Sequence, residues 1–567
     1  MNSQTEDRLA DLTICWLMQI PFVPSLTTRV LPLLMGLGVS VPLLALLMLA
    51  AGIHPLESTP MHAVIAGEGL VHLLDHVLGR YAWNTLVVSL VAMAVAGSIG
   101  VLAGWLVAAY QFPGRSWMSW ALLMPLAIPP YVMAFAFTDF LDVSGPLQHS
   151  LRELFSLGLT PSTSLSVRTP WGAGICLGLA LYPYIYMLAR GAFAERSASL
   201  GEAARSLGTP SWQVWPKVIW PIARPSVAAG SALVLMEVLA DFGTVSYFAT
   251  DTLTAGIYKA WQGMGDKLSA ARLAIVLLMA VGVLVWIERK QRARRTLASR
   301  SWRPAQVQVL EGWPAWRASA LCFFPILIAF VGPVAILLHA LEPLAPEQFA
   351  RLGQWLQHSI LLAALSVWVI IPAAVLLAYV GRLNPSGWVK SITALANAGY
   401  ALPGVVIGVG ILSTSAWLGS WLPLLNEWLG HGLLLGLLLL IYAYGVRFFS
   451  VGFQGIEAAL KRISPSMDQS AQSLGHSAWQ ILRRVHWPLL KPTVTACALL
   501  VFVDALKELP ATLVLRPFNF DTLAVVAYQF ASDERLGEAA WPCLLIVTIG
   551  LVPIWWLASV QRKTAML

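Results

Sequence analysis

The amino-acid sequence predicts an all-α integral membrane protein made of two homologous six-helix halves, about 12 transmembrane helices in all. Three observations predict it. Of the 567 residues, 58% are hydrophobic and only 11% charged, where a soluble domain carries about 25% charge. Apolar runs long enough to cross a bilayer fall in two groups of six. One polar segment occurs twice, a constant 267 positions apart.

A hydrocarbon core about 30 Å thick needs roughly 20 helical residues. Such runs lie near 30–52, 83–110, 117–141, 170–193, 225–249 and 270–288, and again near 317–341, 355–380, 389–416, 431–451, 492–515 and 539–560. The expected segmentation is a cytoplasmic segment at 1–29, an extra helix with an external segment at 30–81, and a first transmembrane domain at 82–288. A basic linker at 289–316, a second extra helix at 317–353, a second transmembrane domain at 354–560 and a tail at 561–567 complete it. A mean hydropathy of +0.71 with 25 Trp and 43 Gly fits closely packed helices anchored at lipid interfaces rather than alternating barrel strands. Residues 1–29 lack a basic n-region followed by a short apolar core, so no cleaved signal peptide is expected. The five cysteines are scattered without CxxC spacing, which indicates neither a disulfide framework nor a zinc site.

Charge sets the orientation. With a cytoplasmic N-terminus, 26 of the 36 Lys and Arg fall inside, nine fall outside and Lys507 lies within a helix; that is the positive-inside asymmetry. The cytoplasmic set includes Arg115, the segments Arg190–Arg224 and Arg289–Arg303, Arg382, Lys390, the segment Arg447–Lys491, Arg562 and Lys563. The run from Glu288 to Arg295, beside a membrane span, reads as an orientation and headgroup anchor rather than a nucleic-acid patch.

The repeat pairs Gly201–Pro225 with Asp468–Pro492, with ten identities in 25 positions. A half with an even number of helices returns to its starting side, so both copies are expected on the cytoplasmic face. Each copy reads as a short helix, a glycine break and a second short helix. Glu202 to Leu207 is helix-forming, Gly208 suits a positive φ, Ser211 suits a cap, and Pro221 is expected to stop the second helix.

On these residues the chain resembles binding-protein-dependent ABC importers of the type-I class. Glu202-Ala203-Ala204, then Gly208, then Ile219-Trp220-Pro221 look like the EAA loop with which those permeases dock an ATPase subunit. Two copies imply two docking sites, with Ala204 and Gly208 matched by Ala471 and Gly475, and Pro221 by Pro488. The second copy departs: Gln469-Ser470-Ala471 replaces Glu-Ala-Ala, with Asp468 one place earlier. The glutamate's charge is absent there, while the glycine remains. No Gly-Lys dipeptide occurs, hence no Walker A loop, so ATP and Mg are expected on separate ATPase subunits and an external or periplasmic binding protein is implied above.

The same offset pairs Glu237 with Asp504 and Asp241 with Glu508. A spacing of four puts the two carboxylates of each helix on one face, and acids at membrane depth are too costly to face lipid. They are expected either to line the translocation cavity or to form struts between helices. The strings Glu237–Phe248 and Lys507–Phe518 resemble segments of fused ferric-iron permeases. That resemblance implies ferric iron as cargo, and oxygen ligands are chemically compatible with Fe(III).

His72 and His76 sit at i and i+4 and would offer two metal ligands on one helical face. No third ligand is evident, and an interfacial amphipathic turn accounts for them. With no HExxH or GxSxG pattern, the reading is a transport permease of the bacterial inner membrane and not an enzyme. The alternatives are an importer permease for thiamine, a polyamine or a phosphonate, and an ion-gradient-driven secondary transporter.

Overall fold

Backbone polar groups inside a bilayer have no water to bond, so long apolar runs must satisfy them internally as helices. The computed structural model describes residues 24–52, 73–155, 166–293, 307–421 and 433–566. The first half of the chain comprises α1 (Pro24–Ala50), α2 (Gly79–Ala109), α3 (Arg115–Ala121), α4 (Pro130–Leu141), α5 (Pro146–Phe155), α6 (Pro170–Ser206), α7 (Ser211–Val214), α8 (Trp220–Ala240), α9 (Gly243–Tyr247), α10 (Leu253–Tyr258) and α11 (Lys267–Ala293). The second comprises α12 (Trp313–Ile326), α13 (Gly332–His339), α14 (Pro346–Leu383), α15 (Gly387–Ala398), α16 (Gly404–Trp421), α17 (Leu433–Arg462), α18 (Pro465–Ser473), α19 (Ala478–Ile481), α20 (Trp487–Leu506), α21 (Pro510–Leu515), α22 (Leu523–Ser532) and α23 (Leu536–Met566). Among the described residues the only strands are Tyr110–Gln111 and Gln308–Val309, paired in parallel.

Ten helices among the described residues are long and apolar enough to cross a membrane. The third expected span of each half is not straight. Arg115–Ala127 and Pro130–Phe155 meet at 89°, and Gly387–Ala401 and Gly404–Gly419 at 115°, so counting each bent pair as one span gives twelve. Proline explains both breaks, because it disfavours the α conformation in the residue before it. Ile128 before Pro129 is extended at φ −93°, ψ 116°, and Leu402 before Pro403 at φ −78°, ψ 126°.

The chain forms two compact units that do not follow its halves: residues 1–66 with 350–522, and residues 67–349 with 523–567. In the former, α1 packs on α15 and α16 of the second half. Small residues permit the approach: a Cβ at Gly36 would lie 3.0 Å from Ile392, and one at Gly410 would lie 2.8 Å from the Pro42 carbonyl. The Tyr442 hydroxyl donates to the Gly38 carbonyl.

The other unit has α2 against α6 at its centre. Gly100 and Gly104 on α2 face Ile185 and Ala189, while Gly174 and Gly178 on α6 face Val91 and Val95, so each helix lays a small-residue stripe against the other's side chains. The second extra helix joins this unit: Ser319 on α12 donates to the Pro113 carbonyl at 2.8 Å, and α13 packs on α4. The chain's last helices are here too. Trp541 on α23 donates to the Glu342 carbonyl at 2.9 Å, and Ser246 shares a 2.9 Å hydrogen bond with Tyr528 on α22.

Candidate functional site

The repeated segments adopt the same glycine turn. In the first, α6 runs without interruption from its apolar part through Ala204 to Ser206, so the expected separate short helix is the end of a long one. Gly208 follows at φ 85°, and the Thr209 amide donates back to the Ala204 carbonyl at 2.9 Å. In the second, α18 ends at Ser473, Gly475 has φ 80°, and the His476 amide donates to the Ala471 carbonyl at 3.1 Å. This six-to-one bond closes a helix C-terminus around a left-handed residue, a conformation that costs an L side chain but not glycine. The residue before each glycine is exposed leucine, Leu207 at 86% and Leu474 at 77%. Gln469 is exposed on α18. The side chains of Glu202 and Ala203 lie outside the described residues.

Neither proline stops its helix. Pro221 and Pro488 occupy the first turns of α8 and α20, each immediately preceded by a π turn, Trp215–Ile219 and Leu482–His486. An i→i+5 turn widens the helix where proline supplies no N–H and would clash with the carbonyl four residues back. The cap also shifts. Ser477 accepts from the Gln480 amide while the Gln480 side chain accepts from the Ser477 amide, a capping box one position ahead of the site matching Ser211.

Beneath the second segment lies a polar cluster that composition and spacing did not reveal. Arg382, at the end of α14, donates through Nε to Asp468 Oδ2 at 2.7 Å, and through Nη1 and Nη2 to the carbonyls of Leu460 and Ile463 at 2.6 and 3.0 Å. His486, fully buried, donates through Nε2 to Asp468 Oδ1 at 2.6 Å. Tyr379 lies edge-on to the His486 ring, and its hydroxyl donates to the Ala478 carbonyl at 2.6 Å. Burial alone would raise the Asp468 carboxyl, but the hydrogen bonds from Arg382 and His486 hold it below its ordinary value.

The expectation that each half's acids share one helical face does not survive. Helix α8 ends at Ala240, and Asp241 is extended at φ −68°, ψ 132°. Its carboxylate accepts from Thr244 Oγ1 and the Val245 amide, each at 3.0 Å, and so caps α9, while Glu237 stays on α8. Likewise α20 ends at Leu506 and Glu508 lies past the break, accepting from the Ala511 amide at 3.1 Å. Asp504 pairs with Lys507 at 2.8 Å. Glu508 pairs with Arg447 at 3.3 Å.

Arg447, which the charge count expects among the cytoplasmic charges, is thus buried and paired within the protein. It sits within α17, which extends to Arg462, and is 7% exposed. Gly404, at the proline break, leaves room for the pair: a Cβ there would lie 2.5 Å from Glu508 Oε1 and 2.7 Å from Arg447 Nη1. His76 is exposed on a π turn and His72 lies outside the described residues. Among the described residues no three His, Cys, Asp or Glu converge to hold a metal.

A family model described as "Binding-protein-dependent transport system inner membrane component" matches twice, at residues 100–287 and 370–565. The Fe(3+)-transport system permease protein FbpB 2 of Haemophilus influenzae is 24% identical over 491 residues, covering 85% of this chain and 90% of that protein. The ferric transport system permease protein FbpB of Actinobacillus pleuropneumoniae is 24% identical over 452 residues, 75% of this chain and 63% of the relative, so the chain spans under two thirds of that longer protein. The molybdenum transport system permease protein ModB of Escherichia coli K12 is 27% identical over 221 residues, which are 37% of this chain and 93% of ModB. A stretch about the length of one half here thus suffices for nearly all of that protein.

Proposed function

The chain belongs to the family of binding-protein-dependent transport system inner membrane components, and on that premise we propose that it is the fused, two-domain permease of an ATP-driven importer whose cargo is ferric iron. A separate ATPase subunit docks on each glycine-centred segment, binds ATP and Mg, and drives the helix bundle between inward and outward states. An external binding protein delivers the cargo, and both termini are cytoplasmic.

The observation that carries this reading is the duplicated turn, with an exposed leucine immediately before a glycine at φ 85° in one copy and 80° in the other. An exposed apolar side chain on a rigid, polar turn suits a groove on a soluble partner, and the same device at the same offset suits two copies of one partner. Iron as cargo is supported by the ferric permease relatives. The acids at the helix breaks add little to it, since Glu508, Asp504 and Asp241 are engaged by neighbouring groups.

Purification of the full chain with its cognate ATP-binding subunit tests the reading. Two ATPase copies per chain and ATP-dependent ferric uptake into vesicles supplied with the binding protein are expected. Uptake driven by an ion gradient without ATP would overturn it, and ATP-dependent uptake of thiamine, a polyamine or a phosphonate in place of iron would overturn the cargo alone.

A further inference from the structure

A second stretch of the chain recurs beyond the helix breaks. Asp251-Thr252-Leu253 returns as Asp521-Thr522-Leu523, and Tyr258 as Tyr528, at an offset of 270. Helix α10 begins at Leu253 and α22 at Leu523, and the tyrosine is the sixth residue of each. Both tyrosines reach the same ring. Phe242, just past the end of α8, has its ring centroid 4.4 Å from that of Tyr258 and 5.6 Å from that of Tyr528. Ser246 on α9 shares its 2.9 Å hydrogen bond with the Tyr528 hydroxyl. All four residues lie in one compact unit.

Equivalent positions of two homologous halves with the same orientation come together only near the axis that relates them. In parallel repeats that axis runs along the membrane normal, and cargo passes at the repeat interface. A ring flanked by both tyrosines therefore lies near the axis. Phe242 is 1% exposed, while Tyr258, Tyr528 and Ser246 are half-buried. The 21 residues of α8 span about 30 Å, the thickness of a hydrocarbon core, so Phe242 lies at the end remote from the first glycine-centred segment. Its flanking helices are separately supported. The Thr254 hydroxyl donates to the Leu239 carbonyl at 2.7 Å and the Leu253 amide to Thr85 Oγ1 at 3.0 Å, tying α10 to α8 and α2, whereas α22 packs on α4 and α23.

We propose that Phe242, held between Tyr258 and Tyr528, is the external seal of the translocation pathway, and that transport requires Tyr528 to withdraw from Phe242 and Ser246. An apolar constriction excludes water and with it ions. The Ser246 to Tyr528 hydrogen bond fixes the register of the closed contact. It costs little to break, because half-buried hydroxyls exchange one partner for water. That the sealed end is external rests on the importer reading, with the glycine-centred segments cytoplasmic; the position of the seal across the pathway does not.

The permease with its ATPase subunits, reconstituted in liposomes without nucleotide, tests this by passive K+ efflux. Phe242→Ala should raise efflux at least tenfold per reconstituted chain and Phe242→Leu much less. Phe449→Ala, which removes a ring stacked on Phe453 within α17, should not raise it, since a ring that only packs costs stability without opening a leak. A second measurement stands even where Phe242→Ala fails to assemble. Ser246→Cys should react with an external membrane-impermeant maleimide at least fivefold faster when ATP and the binding protein hold the complex open to the outside than without nucleotide, after subtraction of wild-type labelling. Efflux from Phe242→Ala no greater than from Phe449→Ala, or equal labelling of Ser246→Cys in both states of a complex that hydrolyses ATP, overturns the seal. A leak through Phe242→Ala in a complex whose wild type shows no ATP-driven uptake would keep the seal and overturn the importer reading.

Discussion

Arg447 and Glu508 meet inside the helix bundle, 3.3 Å apart and only 8% and 5% exposed. The pair links α17 to the break between α20 and α21. Removing one partner of a buried pair leaves an uncompensated charge and costs about 3–5 kcal/mol. Glu508→Gln is therefore expected to deplete the folded permease from the membrane, and Arg447→Met to do the same. Combining Glu508→Gln with Arg447→Met leaves no unpaired charge and should recover much of the loss. Membrane abundance of the two single variants and the double variant checks this, and a double variant no more abundant than either single one would refute the strut.

Gly404→Ala tests the same pair from outside it. A Cβ at this position meets Glu508 Oε1 and Arg447 Nη1 well inside contact distance, and forced overpacking costs typically about 1–3 kcal/mol. Lower thermal stability of the purified chain is expected, with a smaller effect when Glu508→Asp shortens the neighbouring acid. An unchanged melting temperature would mean that the pair has slack.

How much of this was legible in the sequence differs by kind of feature. The apolar runs and the offset of 267 located the helices and the duplicated turn, because hydropathy and repetition are local properties of the chain. Pro129 and Pro403 were visible as letters, yet the runs around them are apolar enough to read as straight spans, and only the backbone shows bends of 89° and 115°. The sequence pattern puts Asp241 and Glu508 on helices that in fact end before them, at Ala240 and Leu506, because the apolar runs continue past both stops. Arg447 with Glu508, and Arg382 with Asp468 and His486, join residues far apart in sequence through tertiary contact, which no local pattern encodes. The packing of α1 on α15 and α16 is hidden for the same reason.

The glycine turns carry a prediction of their own. Both glycines have open space where a Cβ would sit, so the penalty for Gly208→Val or Gly475→Val is conformational, about 1–2 kcal/mol each for a left-handed L residue. That is too little to abolish insertion and enough to deform a docking turn. Uptake and ATPase co-purification should fall much further than membrane abundance does. Leu207→Asp and Leu474→Asp should weaken co-purification without altering the turn. Full ATPase association in all four variants would leave the docking surface elsewhere.

Asp241 permits a cleaner test than Glu508 of whether charge at the helix breaks serves transport, because its hydrogen bonds are those of a helix cap rather than of an ion pair. Its carboxylate accepts from Thr244 Oγ1 and the Val245 amide. Asn retains one oxygen acceptor for the amide and loses the charge, so Asp241→Asn should leave α9 capped and the chain near normal abundance. Asp241→Ala removes the cap as well, at about 0.5–2 kcal/mol, and should lower abundance measurably. The decisive quantity is uptake divided by abundance. If the negative charge at this break attracts a cationic cargo, Asp241→Asn loses most of its uptake at normal abundance, and Asp241→Glu keeps more of it. If Asp241→Asn transports as well as wild type while Asp241→Ala falls only in proportion to its abundance, the carboxylate is a cap and nothing more, and the recurrence of acids at the offset of 267 reflects the architecture of the helix breaks rather than the charge of the cargo.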